Sequence, residues 1–188
     1  MKVNVEMTEI DGAIVVAPDL FKDARGFFQE AFRADEYEKN SLPSQFVQLN
    51  HSGSVKDTVR GLHFQWEPPM GKLMRVLRGT AFLVAVDLRR NSPTLGKHIT
   101  RVLSGEDRKW LWAPASFARG FAVLSEFAEI EYLTTGIYNN LGESGIRWND
   151  SEIGVDWPVK EPILSAKDTT AQTLQEWLAK PESNNFKL

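Results

Sequence analysis

The sequence predicts a mainly β protein, folded as a two-sheet sandwich or a closed barrel, with few helices. Two observations carry that expectation. Short runs rich in valine, isoleucine, threonine and aromatics recur along the chain from about residue 12 to 138, and Gly, Pro, Asn and Ser separate them. Only two stretches carry helix signals. Such spacing of short strands suits a sandwich or barrel rather than alternating strand–helix units. In order, the strand candidates are "GAIVVAP" (12–18), "SQFVQLN" (44–50), "TVRGLHFQ" (58–65), "KLMRVLR" (72–78) and "TAFLVAVDLR" (80–89). "KHITRVLS" (97–104), "KWLWAP" (109–114), "GFAVLSE" (120–126) and "AEIEYLTT" (128–135) complete the set. Arg78-Gly79 reads as a hairpin turn and "RNSPTLG" (90–96) as a loop. A short helix is expected over 34–40. A second is expected near the C-terminus over 168–179, with Ser165 and Asp168 in capping-box spacing ahead of it.

One strand contains a conflict. In "TVRGLHFQ", Arg60 and His63 stand three positions apart, so strict alternation sends them to opposite faces. Gly61 lies between them, and a glycine inside a strand often marks a bulge that breaks the alternation.

Composition narrows the function. The 188 residues suit a single domain over 1–188 with a sizeable core. Hydrophobic residues make up 42% and charged residues 25%, as in ordinary globular proteins. The net charge of −3 provides no global field for nucleic acid or a membrane surface. Absence of cysteine excludes disulfides and thiolate chemistry. The opening "MKVNVEMTEI" lacks the apolar stretch of a signal peptide, and no run approaches the roughly 18 apolar residues of a spanning helix. A cytoplasmic protein is expected.

The residues that could carry chemistry are few. His51, His63 and His98 are the only histidines, and no two are spaced as ligands on one strand, so no metal site is expected. There is no serine nucleophile elbow and no glycine-rich phosphate loop. His63, among Leu62, Phe64 and Trp66, reads either as a satisfied core histidine or as a general base. Arg25, Arg60, Lys72, Arg75 and Arg119 read either as a solvated surface or as cations gathered for an anion. In "FARGF" (117–121), alternation places Arg119 on one face with Phe117 and Phe121. A guanidinium in a barrel interior needs a charged partner or ligand, and a diphosphate would serve. Tyr132 and Tyr138 read first as strand tyrosines with wet hydroxyls, and Asp168 as a helix cap.

Ten segments in order resemble one family: "LFKDARGFFQEAF" (20–32), "FVQLNHS" (46–52), "VRGLHFQ" (59–65), "GKLMRVLRG" (71–79), "VAVDLR" (84–89), "NSPTLGK" (91–97), "FARGFAVLSE" (117–126), "GIRWND" (145–150), "VDWP" (155–158) and "LSAKD" (164–168). Together they are similar to the dTDP-4-dehydrorhamnose 3,5-epimerases over about residues 8–170. The resemblance implies a cupin-type jelly-roll barrel, a homodimer with segment exchange, and no cofactor or metal. The implied substrate is a nucleotide diphosphate-linked 4-keto-6-deoxyhexose, carrying dTDP or CDP, used in deoxysugar biosynthesis. Epimerisation at carbon 3, carbon 5 or both needs a base, an acid on the opposite face and a positive group for the enolate oxygen.

The resemblance assigns those roles by matching positions. His63 would be the base, Asp168 its orienting carboxylate, Tyr132 the opposing acid and Lys72 the enolate-stabilising group. Arg60 would bind the diphosphate, Gln48 and Asn50 would line the cleft, and Tyr138 would flank the nucleotide. Arg25, Phe28 and Glu30 match positions that reach the site from the partner subunit. Arg25, Arg60, Lys72 and Arg119 are therefore expected to converge on one cleft. The family usually reads "FAHGF", so Arg119 replaces a histidine, and "WAPASF" replaces the usual "PEGF" ending. Arginine does not titrate near neutral pH, and a tighter grip at this position leans the expectation towards epimerisation at carbon 3 alone. A keto-isomerase and a non-catalytic sugar-binding barrel are the competing readings; the full set of His63, Lys72, Tyr132 and Asp168 weighs against both.

Overall fold

Apolar residues on alternate strand positions demand a second layer to bury them. In the computed structural model, which describes residues 2–187, two antiparallel sheets supply it. The chain begins with β1 (Val3–Met7), β2 (Ile14–Pro18), the small hairpin β3 (Phe21–Asp23) and β4 (Gly26–Phe28), and helix α1 (Ala34–Lys39). Next come β5 (Gln48–Val55), β6 (Val59–Gln65), β7 (Lys72–Arg78), β8 (Thr80–Asp87) and β9 (His98–Ser104). They are followed by β10 (Trp110–Ala113), β11 (Phe117–Val123), β12 (Phe127–Thr134) and β13 (Glu143–Gly145). The C-terminal segment carries α2 (Ala166–Thr169), α3 (Leu174–Leu178) and a 3-10 turn over Pro181–Asn185.

The six-stranded sheet runs β1-β2-β10-β7-β12-β5 and the five-stranded sheet β13-β6-β11-β8-β9. This is the jelly-roll barrel the resemblance implies. Between the sheets lies a core that includes Val15, Val76, Leu83, Leu111, Phe117, Phe121 and Ile130. Val3, Val16, Tyr37, Leu73 and Trp110 fill a second cluster on the outer face of the larger sheet, beneath α1.

A third cluster covers the outer face of the smaller sheet and matters most for function. The C-terminal segment lays Trp177 and Phe186 against Phe64 of β6, with ring centroids 4.5 and 5.6 Å from Phe64. Each such aromatic pair contributes about 0.5–1.5 kcal/mol beyond its buried area. The same packing brings α2 against β6.

Three expectations are corrected. Arg78-Gly79 is no hairpin turn: β7 and β8 belong to different sheets, and Gly79, at φ +77°, carries the chain across the barrel edge. A side chain there would strike the Phe127 carbonyl at 2.2 Å, so the crossing needs glycine. The C-terminal helix of 168–179 is two short helices. Thr173 caps α3 in a full capping box with Glu176, and the preceding Gln172 pairs with Ile146, so the helix restarts there. Finally, β1, the β3–β4 hairpin and β13 have no counterpart among the predicted strands; β3, β4 and β13 span three residues each, too short for a periodic signal. Among the described residues, no helix is long and apolar enough to cross a membrane.

Candidate active site

The conflict in β6 is resolved by a bulge. His63 stands opposite Arg119 of β11, yet Arg60 stands opposite Phe121, so three steps on β6 answer two on β11. Opposed residues share a face, and Arg119 and Phe121 are two apart. Arg60 and His63 therefore both turn to the barrel interior. Gly61 permits this with φ +139° and its Cα against β11: an added Cβ would lie 2.6 Å from the Gly120 Cα and 3.0 Å from the Arg119 carbonyl.

The interior holds a cavity of about 230 Å³, lined by polar groups from both sheets. From the five-stranded sheet come Arg60, His63 and Arg119. From the six-stranded sheet come Ser52, Lys72 and Tyr132. His63 and Tyr132 thus approach one space from opposite walls. Grooves lined by Arg60, Ser165 and Asp168 on one side, and by Glu143, Lys167 and Lys180 on the other, also reach His63.

His63 is held by Asp168. Its Nε2 hydrogen-bonds Asp168 Oδ1, and the Ser165 hydroxyl donates to Asp168 Oδ2 at 2.8 Å. With Nε2 donating, the imidazole lone pair falls on Nδ1. Burial pushes the Asp168 carboxyl up, but the bond and charge of His63, the Ser165 hydroxyl and the Gly61 N–H outweigh it and hold it below the usual carboxylate range. The reading of Asp168 as the helix cap is corrected: Ser165 caps α2, its hydroxyl accepting the Asp168 backbone N–H, which leaves the Asp168 carboxylate to face the histidine.

Lys72 lies with Nζ 4.9 Å from the centre of the Tyr132 ring. Burial, and next the charge of Arg119, push its ammonium down to about 7, against a smaller opposing pull from Glu143. Burial likewise raises the Tyr132 phenol, with Arg60 opposing. Arg119 is buried, 3% exposed. Its Nη2 donates to the Met70 carbonyl and, at 2.7 Å, to the Pro114 carbonyl. Burial brings its guanidinium down to about 9, which leaves it charged at neutral pH.

At the mouth, Arg60 is exposed and its Nε donates to Ser54 Oγ at 3.0 Å. Strand β5 turns Gln48, Asn50, Ser52 and Ser54 inward. Gln48 donates to Asn50 at 2.9 Å and accepts the Tyr138 backbone N–H at 2.9 Å. The Tyr138 hydroxyl donates to Glu143 Oε2 at 2.9 Å, and Lys167 Nζ donates to the same oxygen. Glu143 and Lys167 were not among the expected site residues. Glu143 lies on the three-residue β13, without a periodic signal; Lys167 had only its place in "LSAKD" to mark it.

Three expected residues stand apart. Arg25 is 91% exposed in its side chain and pairs with Asp23, Phe28 is 67% exposed, and Glu30 contacts Arg33 at 3.4 Å. The expected convergence of four cations is therefore corrected to three within one chain: Arg60, Lys72 and Arg119 meet, while Arg25 projects from the turn of the β3–β4 hairpin, paired locally with Asp23.

Comparison with known proteins agrees with this geometry. The dTDP-4-dehydrorhamnose 3,5-epimerase family model matches residues 7–176. The chain is 46% identical to the dTDP-4-dehydrorhamnose 3,5-epimerase of Shigella flexneri over 171 residues, which is 90% of this chain and 94% of that one. It is 35% identical to the dTDP-4-dehydrorhamnose 3-epimerase of Streptomyces niveus, over 89% of this chain and 82% of that one. A crystal structure of a dTDP-6-deoxy-D-glucose-3,5-epimerase from Legionella pneumophila, in complex with dTDP-4-keto-L-rhamnose, superposes with a TM-score of 0.91 at 41% identity and covers 96% of both chains.

Proposed function

The chain belongs to the dTDP-4-dehydrorhamnose 3,5-epimerase family, and from that premise we propose what each residue of the cavity does. The protein is a carbohydrate epimerase of deoxysugar biosynthesis, acting on a nucleotide-linked 4-keto-6-deoxyhexose. The carbon-4 ketone acidifies the C–H bonds at carbons 3 and 5. His63 Nδ1 takes one such proton, the C–H electron pair becomes a carbon–carbon π bond, and the ketone π pair moves onto the carbon-4 oxygen as an enolate. Lys72 stabilises that oxygen. Tyr132 returns a proton to the other face, inverting the carbon. Asp168 orients the imidazole and stabilises its charged form. The observation that carries this reading is the acid–base pair on opposite walls of one cavity: His63 on β6, Tyr132 on β12.

Arg60, exposed at the mouth, binds the diphosphate, with Gln48, Asn50 and Tyr138 around the nucleotide. Relatives named for dTDP-sugars favour dTDP over CDP. Such an activated sugar fits a cytoplasmic enzyme. Contributions from both sheets and from α2 to one cavity support a single catalytic domain over 1–188.

The active form is a homodimer. Strand β5 is an edge strand that turns Leu49, His51 and Val55 outward; Leu49, Val55 and the preceding Val47 are 54–57% exposed. Such an edge favours a second chain over solvent. The aromatic β3–β4 hairpin is the segment that crosses, bringing Arg25, Phe28 and Glu30 to the partner's cavity.

The 44–46% identical relatives named as 3,5-epimerases favour inversion at both carbons. A reaction at carbon 3 alone is the second reading, favoured by the similarity to the 3-epimerase of Streptomyces niveus. Incubation with dTDP-4-keto-6-deoxyglucose in deuterated water, read by NMR, tests both. Inverted, labelled carbons 3 and 5 are expected. Label at neither carbon would refute the catalytic reading. Label at carbon 3 only would establish the second one, and gain of carbon-5 label in Arg119→His would tie the restriction to this residue.

A further inference from the structure

Arg119 carries a charge that the protein leaves unanswered. It lies on β11, the central strand of the five-stranded sheet, and lines the cavity from there. Its Nη2 is satisfied by the Met70 and Pro114 carbonyls, but Nε and Nη1 are buried with no hydrogen-bond partner. Among the described residues it forms no ion pair, and neither does Lys72 beside it. A buried, unpaired guanidinium is costly, and two orphaned donors add to that cost. A site with such a group is built for an anion that arrives with the ligand.

The ligand offers two anions. The diphosphate is large and hydrated, and the exposed Arg60 already meets it where the cavity opens. Arg119 is sealed at 3% exposure, with its outer nitrogen tied to two backbone carbonyls, so it has no reach to the mouth. The other anion exists only during the reaction. When His63 takes the proton from carbon 3 or carbon 5, the electron pair becomes the carbon–carbon π bond, and the ketone π pair moves to the carbon-4 oxygen as a full negative charge.

We infer that Arg119 is a second enolate-stabilising group, donating from Nε or Nη1 to the carbon-4 oxygen alongside Lys72, and that it does not bind the diphosphate. This rests on the epimerase reading above. Arg119 supplies the fixed part of the charge. The same charge, second to burial, depresses the neighbouring ammonium of Lys72, so the permanent cation is needed where the titratable one is weakened. Donors preorganised in a water-poor cavity are worth most when charge develops. Carbons 3 and 5 share the one carbon-4 oxygen, so Arg119 serves both proton abstractions equally.

Arg119→Gln is the test, read in three ways: proton exchange at each carbon in deuterated water at saturating dTDP-4-keto-6-deoxyglucose, the Kd of dTDP itself, and the melting temperature. Exchange at carbons 3 and 5 should fall together, by roughly 100-fold, the scale for losing one oxyanion donor. The Kd of dTDP should stay within about twofold, since dTDP has no ketone and keeps its contacts at the mouth. If the lost carbonyl contacts prevent folding, Arg119→Lys keeps the charge; it should retain labelling at both carbons within about tenfold of wild type. Weakening of dTDP binding by tenfold or more in a folded variant, with exchange in the saturated complex intact, overturns the inference. So does a loss at only one of two carbons that the wild type labels, in either variant. Wild-type protein that exchanges no proton at all would instead overturn the epimerase reading itself.

Discussion

His63 shows how much a single side chain takes from its surroundings. An imidazole among Leu62, Phe64 and Trp66 is ambiguous on its own, but a carboxylate on Nε2 and a cavity beside the ring give it the surroundings that the proposed role of base requires. His63→Ala should lower kcat by roughly 100- to 10,000-fold, with little change in melting temperature because the ring borders a cavity rather than filling the core. Tyr132→Phe should retain more exchange than epimerisation, since abstraction by His63 survives while delivery to the other face fails; equal losses of the two would contradict that division of labour. Lys72 permits a pH test. Its pKa in the folded protein is about 7 against 10.5 for the free side chain. Between those values the unfolded chain binds more protons, so the unfolding free energy should rise with pH across that window. Chemical denaturation at intervals from pH 7 to 10.5 should show the slope in the wild type and a flatter profile in Lys72→Met.

At the scale of elements, function depends on strand β6 and on what backs it. A regular strand would display Arg60 or His63 inside, never both. The bulge at Gly61 shows both, and close approach to Gly120 leaves no room for a side chain. Gly61→Ala should cost about 1–3 kcal/mol from the positive φ alone, measurable by urea unfolding, and should lower kcat and raise KM together because base and mouth arginine move as a unit. Wild-type kinetics in a destabilised Gly61→Ala would detach the bulge from the site. Behind β6, the contacts of Trp177 and Phe186 with Phe64 hold the C-terminal segment in place, and Asp168 reaches His63 because of it. The proposed catalytic pair, separated by more than a hundred residues, thus depends on an aromatic cluster outside the cavity.

At the scale of the whole molecule, the surface is unfinished. An edge strand with apolar residues outward, and a hairpin exposing Phe21, Phe27 and Phe28, leave apolar area facing solvent in one chain. Two-fold pairing would bury both features and create two equivalent sites. Light scattering at micromolar concentration should therefore give twice the chain mass. Subunit exchange tests the shared site directly. Mixing inactive His63→Ala with an impaired Arg25→Ala chain should restore activity in roughly a quarter of all sites, because half the dimers are mixed and each has one intact site. No restoration on mixing would mean that each chain completes its own cavity.

The sequence by itself determined the β class and the position of most long strands, and it marked five polar residues of the cavity, Arg60, His63, Lys72, Arg119 and Tyr132, though not Ser52, because strand periodicity is local and the ten ordered motifs keep their spacing. The question posed by Arg60 and His63 was visible too, with Gly61 as its marker. What only the tertiary structure decided depends on contacts distant in the chain. The pairing of β6 with β11 defined the bulge, and the sheet order turned Arg78-Gly79 from a hairpin into a crossing. Glu143 and Lys167 entered the mouth through a short strand and a short helix with no pattern to read. Arg25 left the cavity of its own chain because hairpin β3–β4 projects from it. The unpaired state of Arg119 belongs to the same class: whether a buried cation has a partner is a property of the space around it, which no local pattern encodes.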